Sequence, residues 1–242
     1  MTCSRNANPT LAPRFASIAR GRREMPDRAH RRAASAATCS RVCFPIGVSS
    51  SRGSFLTEGF KVNALILIDI QAGFEDPVWG ERNNPQAEDR ARDLLQKWRD
   101  SGSPIIHVRH VSTTPGSPLS GSGTEFKAQV QPLPGETIIE KSVNSAFIGT
   151  NLNDHLKELG ANALTICGLT TPHCVSTTTR MAANLGYRVR LVADACAAFT
   201  SNADVSFDDG PTLSAEEIHR SALAHLHGEF ARVCLSTQIL SE

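Results

Sequence analysis

The sequence predicts an α/β fold: a three-layer sandwich in which a mostly parallel, Rossmann-like sheet of six strands carries helices on both faces. Three observations predict it. A nearly continuous apolar run, VNALILI from Val62 to Ile68, ends in Asp69, as expected for a strand buried on both faces. Strand-like runs then alternate with helix-like runs to the C-terminus, which is the pattern of a parallel sheet joined by crossover helices. The chain has 242 residues and no internal repeat, and its length suits one sizeable domain of this kind or two small ones.

Each element has its own warrant. Asn84 and Pro85 read as N-cap and first-turn proline of a helix whose apolar stripe is Ala87, Ala91, Leu94, Leu95 and Trp98, with Gly102 as its stop. Pro104 to Val108 is the second strand and Thr137 to Glu140 a short third. Leu152 to Leu159 is a helix stopped by Gly160, and Ala163 to Cys167 is the fourth strand. Cys174 to Leu185 is a helix stopped by Gly186, followed by a strand from Arg188 to Ala193. Ser214 with Glu217 three residues on is a capping box for a helix reaching Leu226, and Arg232 to Ser236 is the last strand. Residues 111–135 hold four Pro and four Gly among Ser and Thr, a long irregular segment of the kind that carries function. A second loop, SNADVSFDDGP from Ser201 to Pro211, is acidic.

The first 58 residues are different. They are rich in Arg, Ser and Ala without sustained periodicity, and we read them as a disordered extension preceding a domain at 59–242. Residues 1–53 hold ten Arg against Glu24 and Asp27, a balance of +8, which leaves −7 on the rest of a chain whose formal net charge is +1. Two explanations of the extension stay open: a mitochondrial or plastid transit peptide, or a start codon placed too early, with Met25 or a later position nearer the true start. An acidic body of this kind does not suit a nucleic-acid partner. No apolar run approaches the ~20 residues of a membrane span. Seven cysteines, an odd number without a paired C-x-x-C, indicate reduced thiols and hence a cytoplasmic location, unless the extension directs the chain to an organelle. Cys39 and Cys43 alone would make only half of a metal site. Cys167 and Cys196 read as small core hydrophobes.

Chemistry is expected where strands end, because open α/β sheets bind ligands beyond the carboxyl ends of their strands. Asp69 closes the first strand in LIDIQAGF, Lys141 follows the third in IIEKSVNSAF, and Cys174 follows the fourth in ICGLTTPHCVSTTTRMAANLGY. Taken singly, Asp69 reads as a turn cap, Lys141 as a solvated lysine and Cys174 as an inert helix-start residue. Brought together, a carboxylate would take the thiol proton, while an ammonium would favour the thiolate and orient the acid.

These three segments, in this order, resemble the signatures of the isochorismatase-like cysteine hydrolases, a superfamily that includes nicotinamidases and N-carbamoylsarcosine amidases. The resemblance covers roughly residues 62–240. It implies a catalytic triad of Asp69, Lys141 and Cys174, and a cis peptide bond between Leu169 and Thr170. It also implies an oxyanion hole built from the backbone N–H groups of Thr170 and Cys174. The implied reaction is hydrolysis of a small amide-like substrate at a C–N bond through a thioester, with no organic cofactor. Isochorismatases that cleave a vinyl ether, which often lack the cysteine, and a binding protein without turnover are the alternatives.

Phe74, Trp79, His110 and Phe147 are candidate pocket residues, and the aromatics among them are as readily core residues. Nicotinamidases of this superfamily carry an Asp/His/His zinc or iron site after the second strand. Here that stretch is HVRHVSTTPGSPLSG, in which His107 and His110 fall on opposite faces of a strand and no Asp-x-His follows, so no metal is expected. His219, His225 and His227 read as residues of the last helix face, with His227 and Glu229 open to a subunit contact. Family members are commonly oligomers, so a homo-oligomer is expected, with a small molecule as the only other partner.

Overall fold

In the computed structural model, which describes residues 62–242, the chain alternates strands and helices from β1 (Asn63–Ile68) to the C-terminus. After β1 come α1 (Ala87–Asp100), β2 (Ile105–His110), β3 (Thr137–Lys141), α2 (Leu152–Glu158) and β4 (Ala163–Leu169). Then follow α3 (Ser176–Asn184), β5 (Arg188–Ala197), α4 (Ala215–Leu226), β6 (Arg232–Cys234) and α5 (Ser236–Leu240). The readings of residues 1–58, and of the cysteines within them, lie outside the described residues. No helix among the described residues is long and apolar enough to cross a membrane.

The six strands form one sheet in the order β3-β2-β1-β4-β5-β6, and every pair is parallel. The chain builds outward from β1 through β2 to β3, then crosses back to β4 on the other side of β1. The reversal makes β1 and β4 the topological switch point, where a crevice opens beyond the strand ends. All seven residues of β4 are buried, as are the last five of β1. This explains why both read as apolar runs without alternation. Right-handed crossovers in opposite directions put helices on both faces. Helix α1 packs with α5, and α3 with α4.

Helix α1 buries the stripe Ala87, Ala91, Leu94, Leu95 and Trp98 against the sheet, and the Trp98 indole donates to the Asn63 carbonyl at 3.0 Å. Leu94 and Leu95 are fully buried, so truncating either to Ala would cost about 2–5 kcal/mol. At the switch point the backbones of β1 and β4 come too close for any side chain. A Cβ on Gly168 would lie 2.0 Å from the Ile68 carbonyl oxygen, and its φ is +129°. Glycine is therefore required there.

Several boundaries depart from the sequence reading. Asn84 does not cap α1. Its φ is +44°, and its amide donates to the carbonyls of Ala193 and Cys196 at 3.3 and 2.8 Å, tying the turn to β5. The helix starts at Ala87 instead. The expected helix from Cys174 splits into a π turn, Thr171–Val175, and α3 proper. The Ser214–Glu217 capping box of α4 is present. The expected last strand ends at Cys234 and gives way to α5.

The long segment 111–135 is fastened to the turn that follows Asp69. Ala72 N–H donates to the Glu125 carbonyl at 2.8 Å and Lys127 N–H to that of Ile70 at 3.0 Å. Gln71 and Phe126 form an antiparallel bridge, and Leu119 is buried beside Phe74.

Candidate active site

Side chains from the ends of three strands meet beyond the switch point. Asp69 is the first residue past β1. Its backbone is left-handed, with φ at +52°, a conformation Asp tolerates better than most residues. Its N–H still reaches the Val108 carbonyl at 2.8 Å, and the residue is fully buried. Lys141 ends β3, where register pairs it with His110 on β2. Paired residues of neighbouring strands project to the same face, so these two side chains run together. Cys174 follows β4 through the π turn, in which Val175 N–H reaches back to the Thr170 carbonyl at 3.3 Å. The Leu169–Thr170 peptide bond is cis.

The Lys141 ammonium is the hub. It donates to Asp69 Oδ2 at 2.6 Å, to His110 Nδ1 at 3.1 Å and to Cys174 Sγ at 3.2 Å. An ammonium has three donors, and this arrangement uses all of them. The Lys141 and Asp69 side chains are both removed from water. Desolvation costs several kcal/mol per ion, which close geometry such as the 2.6 Å contact offsets.

The ammonium favours the thiolate, as expected from the sequence, but it is outweighed. Burial, reinforced by the Asp69 charge, outweighs Lys141 and pushes the Cys174 thiol up to about 12. The sulfur is therefore protonated at neutral pH. Burial also raises Asp69 above the ordinary carboxylate value, against the pull of Lys141. Asp69 Oδ1 is buried without a hydrogen-bond partner, and Cys174 Sγ lies within 4.8 Å of an Asp69 carboxylate oxygen. A buried acceptor thus stands beside a buried S–H. Cys174 itself keeps 8% exposure, so the sulfur's residue is not sealed from the surface.

The candidate pocket residues separate into three settings. Phe74 and Trp79 pack with Phe199, with ring centroids 5.0 to 6.1 Å apart. Leu169, at the cis bond, belongs to the same apolar cluster. His110 lies against Lys141, as above. Phe147 is in the main core and stacks on Tyr187 at 6.1 Å, which is the core setting of the two read from sequence.

Three residues at the site were missed from sequence. Asn144, three positions after Lys141, is exposed and places its Oδ1 3.7 Å from Cys174 Sγ as acceptor. Gln71, two positions after Asp69, clamps the His110 backbone from both sides, with Nε2 donating to the carbonyl at 2.9 Å and Oε1 accepting from the N–H at 2.7 Å. Both lie inside segments already singled out, so their position in the motif was the available signal. His219, read as a helix-face residue, is buried and joins Thr171 Oγ1 to the Asn84 amide at 2.8 and 3.3 Å, which fixes α4 to the cysteine-bearing turn.

Among the described residues, Asp69, His110 and Cys174 have ligand atoms within 4.8 Å of one another, the spacing of a metal site. The Lys141 ammonium is hydrogen-bonded to all three residues and holds the position that a metal cation would need. This donor set does not fit a metal while Lys141 is in place.

Comparison with known proteins gives a consistent result. An isochorismatase domain model matches residues 63–238. An uncharacterised isochorismatase-family protein of Bacillus subtilis is 44% identical over 183 residues, covering 74% of this chain and 95% of that protein. A nicotinamidase of Arabidopsis thaliana is 27% identical over 186 residues, covering 71% and 83%. The crystal structure of an isochorismatase-family protein from Chromobacterium violaceum superposes with a TM-score of 0.70 at 44% identity, covering 76% of this chain and 94% of that one.

Proposed function

The chain belongs to the isochorismatase family of hydrolases, and we propose that within it this protein is a cysteine hydrolase that cleaves a C–N bond of a small amide-like substrate. The observation that carries the reading is the convergence on one ammonium of a carboxylate at 2.6 Å and a thiol at 3.2 Å. The similarity to a nicotinamidase supports an amide as the bond class.

The steps follow from the geometry. As the substrate carbonyl approaches Sγ, Asp69 takes the thiol proton and a C–S bond forms. The carbonyl oxygen becomes an oxyanion, for which the N–H groups of Thr170 and Cys174 are the proposed donors. Losing one such donor typically costs about 10² to 10³ in rate. Protonated Asp69 then gives its proton to the departing nitrogen, the C–N bond breaks and a thioester remains. Water attacks the thioester with Asp69 again as base, which releases the acid and returns the proton to sulfur. Lys141 keeps Asp69 and Sγ in register through its hydrogen bonds to both.

Phe74, Trp79 and Phe199 would form an apolar wall, and the fastened segment 111–135 would set substrate choice. Turnover across a panel of primary amides, lactams, ureides and nicotinamide tests the reading, followed as ammonia release or, for the lactams, as the ring-opened amino acid. Turnover of at least one class is expected, and turnover of none contradicts it.

A further inference from the structure

His110 has a role that its bond to Lys141 dictates. An ammonium has hydrogens and no lone pair, so it can only donate. The contact at 3.1 Å therefore requires His110 Nδ1 to accept. In a neutral imidazole one nitrogen accepts and the other carries the proton, so the proton sits on Nε2. Protonating Nδ1 as well would set an N–H against the ammonium, and burial together with the Lys141 charge holds the ring's pKa down at about 4. Gln71 clamps the backbone of the same residue through two hydrogen bonds, which fixes the root of the side chain.

No group among the described residues takes up the Nε2–H. The atom is also absent from the buried polar atoms left without a partner, and the residue is part-exposed. A donor of fixed tautomer thus reaches solvent on a ring with a nitrogen within 4.8 Å of the candidate nucleophile.

We propose that His110 is a substrate-recognition residue whose Nε2–H donates to a hydrogen-bond acceptor that the substrate carries in addition to its scissile carbonyl. The inference rests on the amide-hydrolase reading for the location of the substrate and narrows its class. The substrate is a small amide with a second acceptor, a carbonyl oxygen or an unprotonated ring nitrogen, within a few bonds of the first. An N–H···acceptor distance of about 2.9 Å leaves room for little more between the two groups.

Matched pairs that differ in the second acceptor test this: nicotinamide against benzamide, and malonamide against 3-methylbutanamide. Dissociation constants are measured on Cys174→Ala, so that binding is read without turnover. The acceptor-bearing member of at least one pair should bind about tenfold tighter, the worth of one good hydrogen bond. Adding His110→Leu should abolish that preference. Adding His110→Gln should preserve it, because an amide can accept from Lys141 and donate outward. Equal affinity within both pairs, or a preference that survives His110→Leu, overturns the proposal. If the preference is present but no amide of the wider panel is turned over by the wild-type protein, the C–N hydrolysis reading fails while the recognition site stands. A histidine ¹⁵N–¹H correlation spectrum of the wild-type protein gives a check independent of any variant's folding: the Nε2–H tautomer is expected, and an Nδ1–H tautomer at His110 overturns the inference.

Discussion

Strand β2 carries two histidines three residues apart, and each belongs to a charged cluster, yet the two clusters differ in kind. On one face His107 meets Glu136, which also takes hydrogen bonds from Arg99 Nε and Nη2 and from the Leu133 N–H, at 2.7 to 2.9 Å. On the other face His110 meets Lys141, which holds Asp69 by one oxygen while the second has no partner. Burial opposes charge in both places. At Glu136 the bonds from Arg99, Leu133 and His107 overcome it and hold the carboxylate down at about 2. At Asp69 burial wins and the pKa rises. A carboxylate with both oxygens engaged is a fastener, here joining α1, β2 and the start of β3. One with a buried, unengaged oxygen is available to take a proton.

The contrast can be broken from either side. Asp69→Asn removes the proton acceptor and leaves the buried Lys141 ammonium uncompensated, so kcat/KM should fall by about 10³-fold and stability by about 3–5 kcal/mol. Steady-state rates and thermal melting on the same preparation check both parts. Lys141→Met leaves Asp69 as an uncompensated buried charge. It should cost about 3–5 kcal/mol in urea unfolding as well as turnover. Glu136→Gln should lower stability alone, by about 1–3 kcal/mol through weakened bonds to Arg99 and His107, while kcat/KM stays within about threefold.

The smallest effect is in the pH dependence of stability. His110 is held at about 4 in the fold against 6.5 when free. The unfolded chain therefore binds its proton first, and stability is lost as pH falls from 6.5 toward 4. His107, also lowered by burial, contributes in the same direction. Glu136, at about 2 against 4.5, contributes stability present above 4.5 that is lost as pH falls toward 2. Unfolding measured from pH 7 to pH 2.5 should show two successive losses, with His110→Leu reducing the upper and Glu136→Gln the lower. Asp69, raised by burial, should place the acid limb of kcat/KM above the ordinary 3.8 of an aspartate.

Much of this organisation was legible before any coordinates. The run from Val62 to Ile68 identified a central strand because burial on both faces leaves no alternation to mistake for another element. The stripe of α1 and the capping box at Ser214 are local signals, and both are met in the fold. Asp69, Lys141 and Cys174 stood out because each follows a strand, and parallel strands end at one rim.

What escaped depends on contacts far apart in sequence. Asn84 looked like a cap because nothing nearby reveals that its amide partners are the carbonyls of Ala193 and Cys196. Phe147 was equally readable as wall or core until Tyr187 was placed against it. His219 belongs to the cysteine-bearing turn only because α4 docks there. The pull of Lys141 toward the thiolate is readable from sequence, whereas the depth of burial that outweighs it is not.

One measurement bears most directly on the central claim that Cys174 is the nucleophile. An amide found to turn over would be mixed with the enzyme, quenched in acid within the first turnovers and examined by intact mass and peptide mapping. The account expects the wild-type protein to gain the mass of the acyl group on the peptide containing Cys174, and Cys174→Ala to show neither the adduct nor turnover while remaining folded. Turnover by Cys174→Ala at the wild-type rate, or an acyl group mapped to another residue, would contradict it.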